Sequence, residues 1–244
     1  MKILTIGNSF TENALRYLAE IFESAGEPLT IGRCTIGGCT LETHWNNAES
    51  DAPVYGAYNV GDRTMRDLLE SESWDVITLQ QSSNFSWRIG TFQPYFDNLA
   101  AFCRTYAPGV KLYFYQTWAY RTDHKKLVAE HRFSQAQMFA LIRENSLELS
   151  AAAGTGILPA GEALRIMQEL TGDKIGALTR LDDGSSHCSP LGEYLAGLVW
   201  YGALGGDIDK IAFVPGCEDV SGFAEAAKKA AKQALSLYKT NHLR

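Results

Sequence analysis

Three residue types needed for acyl transfer through a nucleophilic serine occur at opposite ends of the sequence. Ser9 lies in the short segment Gly7-Asn8-Ser9-Phe10-Thr11, and His187 follows the acidic pair Asp182 and Asp183. In such a site the histidine takes the serine proton, and an acid fixes the tautomer of the imidazole. These residues therefore favour a serine hydrolase or a related acyl-transfer enzyme.

Two further segments carry groups that can stabilise a negatively charged oxygen. Gly37-Gly38 follows the second predicted strand, and Gln80 to Asn84 follows the third. Backbone N–H groups and side-chain amides are suitable donors to an oxyanion. Because parallel strands end at one edge of a sheet, we expect Ser9, these two segments and the loop that contains His187 to meet there.

An alternation of apolar runs and amphipathic stretches predicts the scaffold that positions these residues. The predicted strands are 2–6, 29–36, 74–79, 111–116 and 156–159. The predicted helices are 12–22, 95–106, 123–152 with one break, 161–170, 191–204 and 221–238. This alternation indicates an α/β fold, with a five-stranded parallel sheet and helices on both faces. Residues 42–62 lack periodicity, and we predict a long ordered loop or insertion there.

Composition excludes several classes of function. The chain has 244 residues, of which 45% are hydrophobic and 20% are charged, as in an ordinary globular protein. Its net charge of −6 argues against nucleic acid as a partner, and no apolar run is long enough to span a membrane. Five cysteines without a CxxC pair indicate free thiols in a reducing compartment. No signal peptide precedes the first strand, so we expect a cytoplasmic protein unless a leader has been removed.

Several segments resemble the SGNH/GDSL hydrolases, which are α/β/α esterases with a serine near the N-terminus and Asp-x-x-His near the C-terminus. The Ser9 segment resembles their Gly-Asp-Ser-Leu block, and Gln80 to Asn84 resembles a version found in sialate and related carbohydrate O-acetylesterases. A branch catalogued mainly as a domain of unknown function is similar at Gly37 to Trp45, Thr117 to Tyr120 and Leu158 to Gly161. The resemblance spans about residues 2 to 206 and leaves out the last predicted helix.

This resemblance implies one three-layer α/β/α domain of flavodoxin-like topology over residues 1–244, with no cofactor. We also expect no metal, because His124 and His131 share a predicted helical face but the sequence suggests no third ligand for them. It also implies a role for each residue of the site. The implied roles are Ser9 as nucleophile, His187 as base, Asp183 as the orienting acid, and Gly38 with Asn84 or Gln80 as oxyanion donors.

The spacing before the histidine departs from that family. The family has its acid three residues before the histidine, whereas Asp183 stands four residues before His187. Gly184 can take a positive φ, so we expect Ser185-Ser186 to bulge and Asp183 to reach the imidazole Nδ1. Asp182 would then point to solvent.

Each assignment has a purely structural alternative. Ser9 can serve only as an N-cap, and Gly38 can serve only a turn. His187 can be a loop histidine bonded to nearby carboxylates. His44 and Trp45 can line a pocket or pack in the core.

The sequence thus predicts a serine esterase that acts on small O-acyl groups, with acetyl groups on carbohydrate as the favoured substrate. The expected partner is a small-molecule or oligosaccharide ester, with no nucleic acid and no membrane, and the oligomeric state is left open. One alternative is an acyltransferase with the same serine chemistry. The other is a carbohydrate-binding protein with a decayed active site, which the irregular acid spacing keeps open.

Overall fold

The computed structural model describes residues 1–127, 134–172 and 186–239. Its strands are β1 (Lys2–Gly7), β2 (Thr30–Thr35), β3 (Tyr55–Ala57), β4 (Val60–Arg63), β5 (Val76–Leu79), β6 (Lys111–Gln116) and β7 (Gly156–Pro159). Its α-helices are α1 (Ser9–Leu15), α2 (Leu18–Ser24), α3 (Leu41–Glu49), α4 (Met65–Glu70), α5 (Tyr95–Tyr106), α6 (Gln135–Ala153), α7 (Ala160–Thr171), α8 (Pro190–Ala203), α9 (Glu218–Ser221) and α10 (Ala224–Lys239).

Five strands form one parallel sheet in the order β2-β1-β5-β6-β7. Ile3 of β1 lies opposite Ile31 of β2 on one side and Val76 of β5 on the other. Numbered within this sheet, the strand order is 2-1-3-4-5, the flavodoxin-like order of doubly wound folds. The predicted α/β class with a five-stranded parallel sheet is therefore confirmed. The order reverses at β1, and ligand sites in such sheets form beyond the carboxyl ends of the strands at this reversal.

The chain groups into two compact units, and the first comprises residues 1–12, 28–115 and 145–157. Its core consists of apolar side chains from the strands and from α3, α4 and α5. The sequence of α5 explains why this segment is helical. Its buried residues recur at the spacing of one helical face, and they are Phe96, Leu99, Ala100 and Cys103. This helix has the predicted bounds.

An irregular loop at 42–62 is wrong, because this region contains α3 and the antiparallel pair β3 and β4. The alternative of an insertion stays a prediction. The buried positions of α3 are Leu41, His44 and Ala48, so a polar residue occupies the middle of its apolar stripe. The polar His44 at a buried position hides the helical periodicity of α3 in the sequence. Helix α4 was also missed, although Thr64 begins it with a capping box.

The second unit comprises residues 13–27 and the described parts of 116–144 and 158–244. Helix α8 is almost entirely buried and packs against α2, α7 and α10. Gly197 favours the close approach of α2 and α8, since a Cβ there would lie 2.8 Å from Cδ1 of Ile21 and that side-chain end would have to shift.

Three predicted helices differ from the structure by more than one residue at an end or by a break, whereas 161–170 and 191–204 differ from α7 and α8 by one residue at each end. The predicted helix 12–22 is divided into α1 and α2, and the predicted helix 221–238 into α9 and α10. In the predicted stretch 123–152, residues 128–133 lie outside the described ranges, and α6 accounts for most of the remainder. All five cysteines are free thiols, as expected. Within the described ranges, no helix has the length and apolar character that a membrane span requires.

Candidate active site

The turn between β1 and α1 holds the proposed nucleophile at the first helical position. Asn8 precedes it and acts as the N-cap, because Oδ1 of Asn8 accepts the backbone N–H of Phe10 at 3.0 Å. Ser9 is half-buried, whereas Asn8 is buried. The side chain that makes this capping contact is therefore that of Asn8.

Gln80 fixes this turn from the end of β5. Its Oε1 accepts the backbone N–H of Asn8 at 3.1 Å and the hydroxyl of Thr11 at 2.7 Å. Its Nε2 donates to Oδ1 of Asn8 and to the carbonyl of Gln81, each at 2.9 Å. Gln80 is fully buried, and both of its amide hydrogens are donated to protein acceptors.

The glycine turn after β2 is tied to the same residue. Nδ2 of Asn8 donates to the carbonyl of Cys39 at 3.0 Å, next to Gly38. Gly38 has φ of +68°, a conformation that glycine adopts without steric cost, and it is exposed. Asn8 thus links the ends of β1, β2 and β5, which carry Ser9, Gly38 and Gln80.

The segment that contains Asn84 is held by buried amides. Gln81 accepts the backbone N–H of Leu41 at 3.2 Å through Oε1. Nδ2 of Asn145 donates to the carbonyl of Ser86 at 3.1 Å. Asn84 is half-buried in the turn between these two contacts. Its backbone is therefore fixed on both sides.

His44 lies beneath the nucleophile turn, and the pocket-lining alternative for it is wrong. It is fully buried, with Nε2 at 2.9 Å from the carbonyl of Gly7 and Nδ1 at 2.9 Å from the hydroxyl of Tyr55. A carbonyl can only accept, so Nε2 carries the proton and Nδ1 accepts from Tyr55. Burial lowers the pKa of His44 to about 4, although the bond to Gly7 acts in the opposite direction. Trp45, in contrast, is partly buried and packs against the core.

His187 belongs to the second unit, where buried side chains hold the peptides on either side of it. Nε1 of Trp118 donates to the carbonyl of Ser186 at 2.8 Å, and the N–H of Cys188 donates to Oδ1 of Asn13 at 3.1 Å. Nδ2 of Asn13 in turn donates to a carboxylate oxygen of the buried Glu193 at 3.1 Å. The backbone around His187 is therefore constrained at both neighbours.

The acidic loop before His187 falls mostly outside the described ranges. Asp182 and Asp183 are not described, and their predicted roles stay predictions. Of the expected bulge, Ser186 is described, and its φ of +63° is in the left-handed region that a non-glycine residue rarely adopts.

Sequence reasoning missed Asn8, Asn13 and Tyr55. Asn8 had a local signal, since asparagine between a strand and a helix favours an N-cap. Asn13 and Tyr55 had none, because their partners Cys188 and His44 are brought to them only by the tertiary fold.

Comparison with solved structures supports the fold. A DUF4886 family protein from Bacteroides uniformis ATCC 8492 is 28% identical over 96% of this chain and 93% of that chain, with a TM-score of 0.81. A candidate SGNH hydrolase from Slackia heliotrinireducens is 23% identical over 84% and 99%, with a TM-score of 0.63. The acetyl xylan esterase AlAXEase is 14% identical over 84% and 100%, with a TM-score of 0.58. The fold is therefore SGNH hydrolase-like, with distant structural similarity to esterases.

The sequence also matches a family model. No curated protein matches this sequence. The model for a domain of unknown function, DUF4886, matches residues 2–234. This match extends well past residue 206, where the resemblance seen in the sequence ended, and it includes most of α10. With a family match over nearly the whole chain and a related structure of the same fold, the protein belongs to the DUF4886 family.

Proposed function

We propose that this protein is a serine esterase that hydrolyses small O-acyl groups, with O-acetyl groups on carbohydrate as the favoured substrate. The observation that carries the proposal is the position of Ser9 directly after β1, at the reversal of strand order. The capping contact of α1 comes from Asn8, so the alternative in which Ser9 is present only as an N-cap loses its main support.

In the proposed reaction, the hydroxyl oxygen of Ser9 attacks the acyl carbon while His187 takes the hydroxyl proton. The bond between the acyl carbon and the sugar oxygen breaks, and the proton passes from His187 to that oxygen. Water then attacks the acyl carbon while His187 takes its proton. The bond between that carbon and the Ser9 oxygen breaks, the proton passes from His187 to Ser9, and the carboxylic acid is released. Asp183 has the role of the acid that accepts the Nδ1–H of His187.

The developing oxyanion is assigned to the backbone N–H groups of Ser9 and Gly38 and to the side-chain amide of Asn84. Asn84 is preferred over Gln80 because the amide hydrogens of Gln80 are donated to Asn8 and Gln81. Loss of one such donor typically lowers the rate by about 10²–10³-fold.

The similarity to an acetyl xylan esterase supports a sugar ester as the substrate class. At 14% identity the similarity itself concerns the fold, and the substrate class is the proposed part.

The test compares Ser9→Ala with Thr64→Ala. Ser9→Ala is expected to abolish hydrolysis of p-nitrophenyl acetate and of acetylated methyl glycosides, and to abolish labelling by a fluorophosphonate probe. Its free energy of unfolding should change little, since only one small hydroxyl is removed at a half-buried position. Thr64 caps α4 through the N–H of Asp67, so Thr64→Ala should lose about 1 kcal/mol of stability and keep full activity. Near wild-type turnover in Ser9→Ala, or a wild-type protein that neither labels nor turns over, would refute the esterase mechanism.

A further inference from the structure

A cavity of about 420 Å³ lies in the second unit, beside the start of α6, the middle of α7 and the segment that follows β6. This volume is in the range of small-molecule sites. Nothing in the proposed acyl-transfer chemistry uses most of the residues around it.

The walls of this cavity combine apolar and hydrogen-bonding surfaces. Trp118, Phe139 and Leu164 provide the apolar part. Gln135 and Gln168 contribute amides, each of which can both donate and accept hydrogen bonds. A ligand with an apolar ring face and several hydroxyl groups matches both surfaces, because hydroxyls also donate and accept.

The charges at the cavity compensate one another. The guanidinium of Arg165 pairs with the carboxylates of Glu162 and Glu169, and Glu162 is fully buried. Arg143 supplies a second positive charge to Glu162 at 3.5 Å. Among the described residues, these two positive and two negative groups leave no net charge to attract an anionic ligand. The cavity therefore fits an uncharged ligand.

Trp118 connects the cavity to the loop of the proposed base. Its side chain lines the cavity, and its Nε1 holds the carbonyl of Ser186, the residue before His187. We propose that the cavity binds the uncharged, hydroxyl-rich alcohol part of the ester, a sugar ring. This inference rests on the proposed esterase function for its link to turnover, whereas the binding itself is independent of it.

The binding test uses the Ser9→Ala protein and isothermal titration calorimetry with methyl β-D-xylopyranoside and methyl β-D-glucopyranoside. Ala136→Phe places an aromatic ring at an exposed alanine that lines the cavity, and Ala140→Phe does the same at an exposed alanine of α6 outside its lining. We expect Ala136→Phe to weaken binding by about tenfold or more, and Ala140→Phe to change it less than about twofold. Methyl β-D-glucuronide should bind more weakly than the glucoside, because it adds a negative charge.

A kinetic test then addresses the link to turnover, and it uses protein that retains the native Ser9. Ala136→Phe should raise KM for acetylated methyl glycosides by about tenfold, with kcat/KM for p-nitrophenyl acetate nearly unchanged. Glycoside binding that Ala136→Phe leaves intact, or no binding of any glycoside, would overturn the proposed site. Binding lost in Ala136→Phe but accompanied by no ester turnover in wild type would support the site and refute the esterase function instead.

Discussion

Gln80 and Asn8 bond each other in both directions: the backbone N–H of Asn8 donates to Oε1 of Gln80 at 3.1 Å, and Nε2 of Gln80 donates to Oδ1 of Asn8 at 2.9 Å. This pair joins the end of β5 to the turn that carries Ser9. A buried pair of this kind has a single good arrangement, because each group left without its partner costs free energy. It therefore sets the backbone position of the proposed nucleophile.

Truncation of the two amide side chains after β5 should affect different properties. For Gln80 we expect a loss of stability, and for Asn84 a loss of activity. Gln80→Ala leaves buried polar groups of Asn8 and Thr11 unpaired and should lower the free energy of unfolding by about 2–4 kcal/mol. Asn84→Ala should keep the fold and lower kcat by about 10²-fold or more, as the loss of an oxyanion donor does. Urea unfolding and ester kinetics measure both effects. A fully active Asn84→Ala would remove Asn84 from the oxyanion hole.

Gly38 offers a matched comparison with Gly109. Both are exposed and both have positive φ, and at neither position would an added Cβ meet another atom within 4 Å, so alanine at either site meets strain without collision. Each substitution should cost about 1–2 kcal/mol of stability. Only Gly38→Ala should also lower kcat, because it displaces a proposed oxyanion N–H. Equal kcat values for the two variants would assign Gly38 to the turn alone.

Asn13→Ala tests the constraint on the His187 backbone. It removes the hydrogen bonds that Asn13 makes with the N–H of Cys188 and with the buried carboxylate of Glu193. We expect kcat to fall by about tenfold or more in the folded protein, because small displacements of a catalytic group are costly. KM should change little. Asn46→Ala, at an exposed helix position, is the control, and a kcat of Asn13→Ala equal to that control would limit Asn13 to stability.

His44 predicts a pH dependence of stability. Its pKa is about 4 in the fold against the ordinary 6.5, because burial penalises the charged form. As the pH falls, the unfolded chain therefore binds a proton at His44 before the folded protein does. The contribution of neutral His44 to the free energy of unfolding is complete above pH 6.5 and is lost as the pH falls towards 4. The loss amounts to about 3 kcal/mol, since each pKa unit corresponds to about 1.4 kcal/mol. His44→Gln should show a correspondingly shallower slope in urea unfolding between pH 7 and 4; parallel slopes in the two proteins would contradict this prediction.

Either Asp183 or Asp182 can be the acid that orients His187, and asparagine variants distinguish the two. Asp183→Asn should keep the fold and lower kcat by up to about 10⁴-fold, the effect of a reversed imidazole tautomer. Asp182→Asn should be nearly silent in the same assay. The reverse result would transfer the role to Asp182, and two silent variants would indicate a Ser–His dyad.

The sequence was most informative where local pattern and burial agree. The bounds of β6, β7 and α5 match the prediction, because each is an uninterrupted apolar or amphipathic run. Helix α3 was missed because a buried histidine, His44, interrupts its apolar stripe, and burial of a histidine depends on partners that the sequence does not reveal. The same holds for Gln80, whose position was predicted but whose bonds to the Ser9 turn depend on the tertiary fold.

The contact between α2 and α8 has a consequence during synthesis. The apolar face of α2, with Leu18, Ile21 and Phe22, emerges from the ribosome well before Gly197 of α8, which lies far later in the sequence. At about 5–20 residues per second, that face waits for roughly ten seconds or more before its partner exists. Nascent chains of this protein therefore expose a hydrophobic helix that chaperones can bind, and the second unit completes its packing only after α8 has emerged.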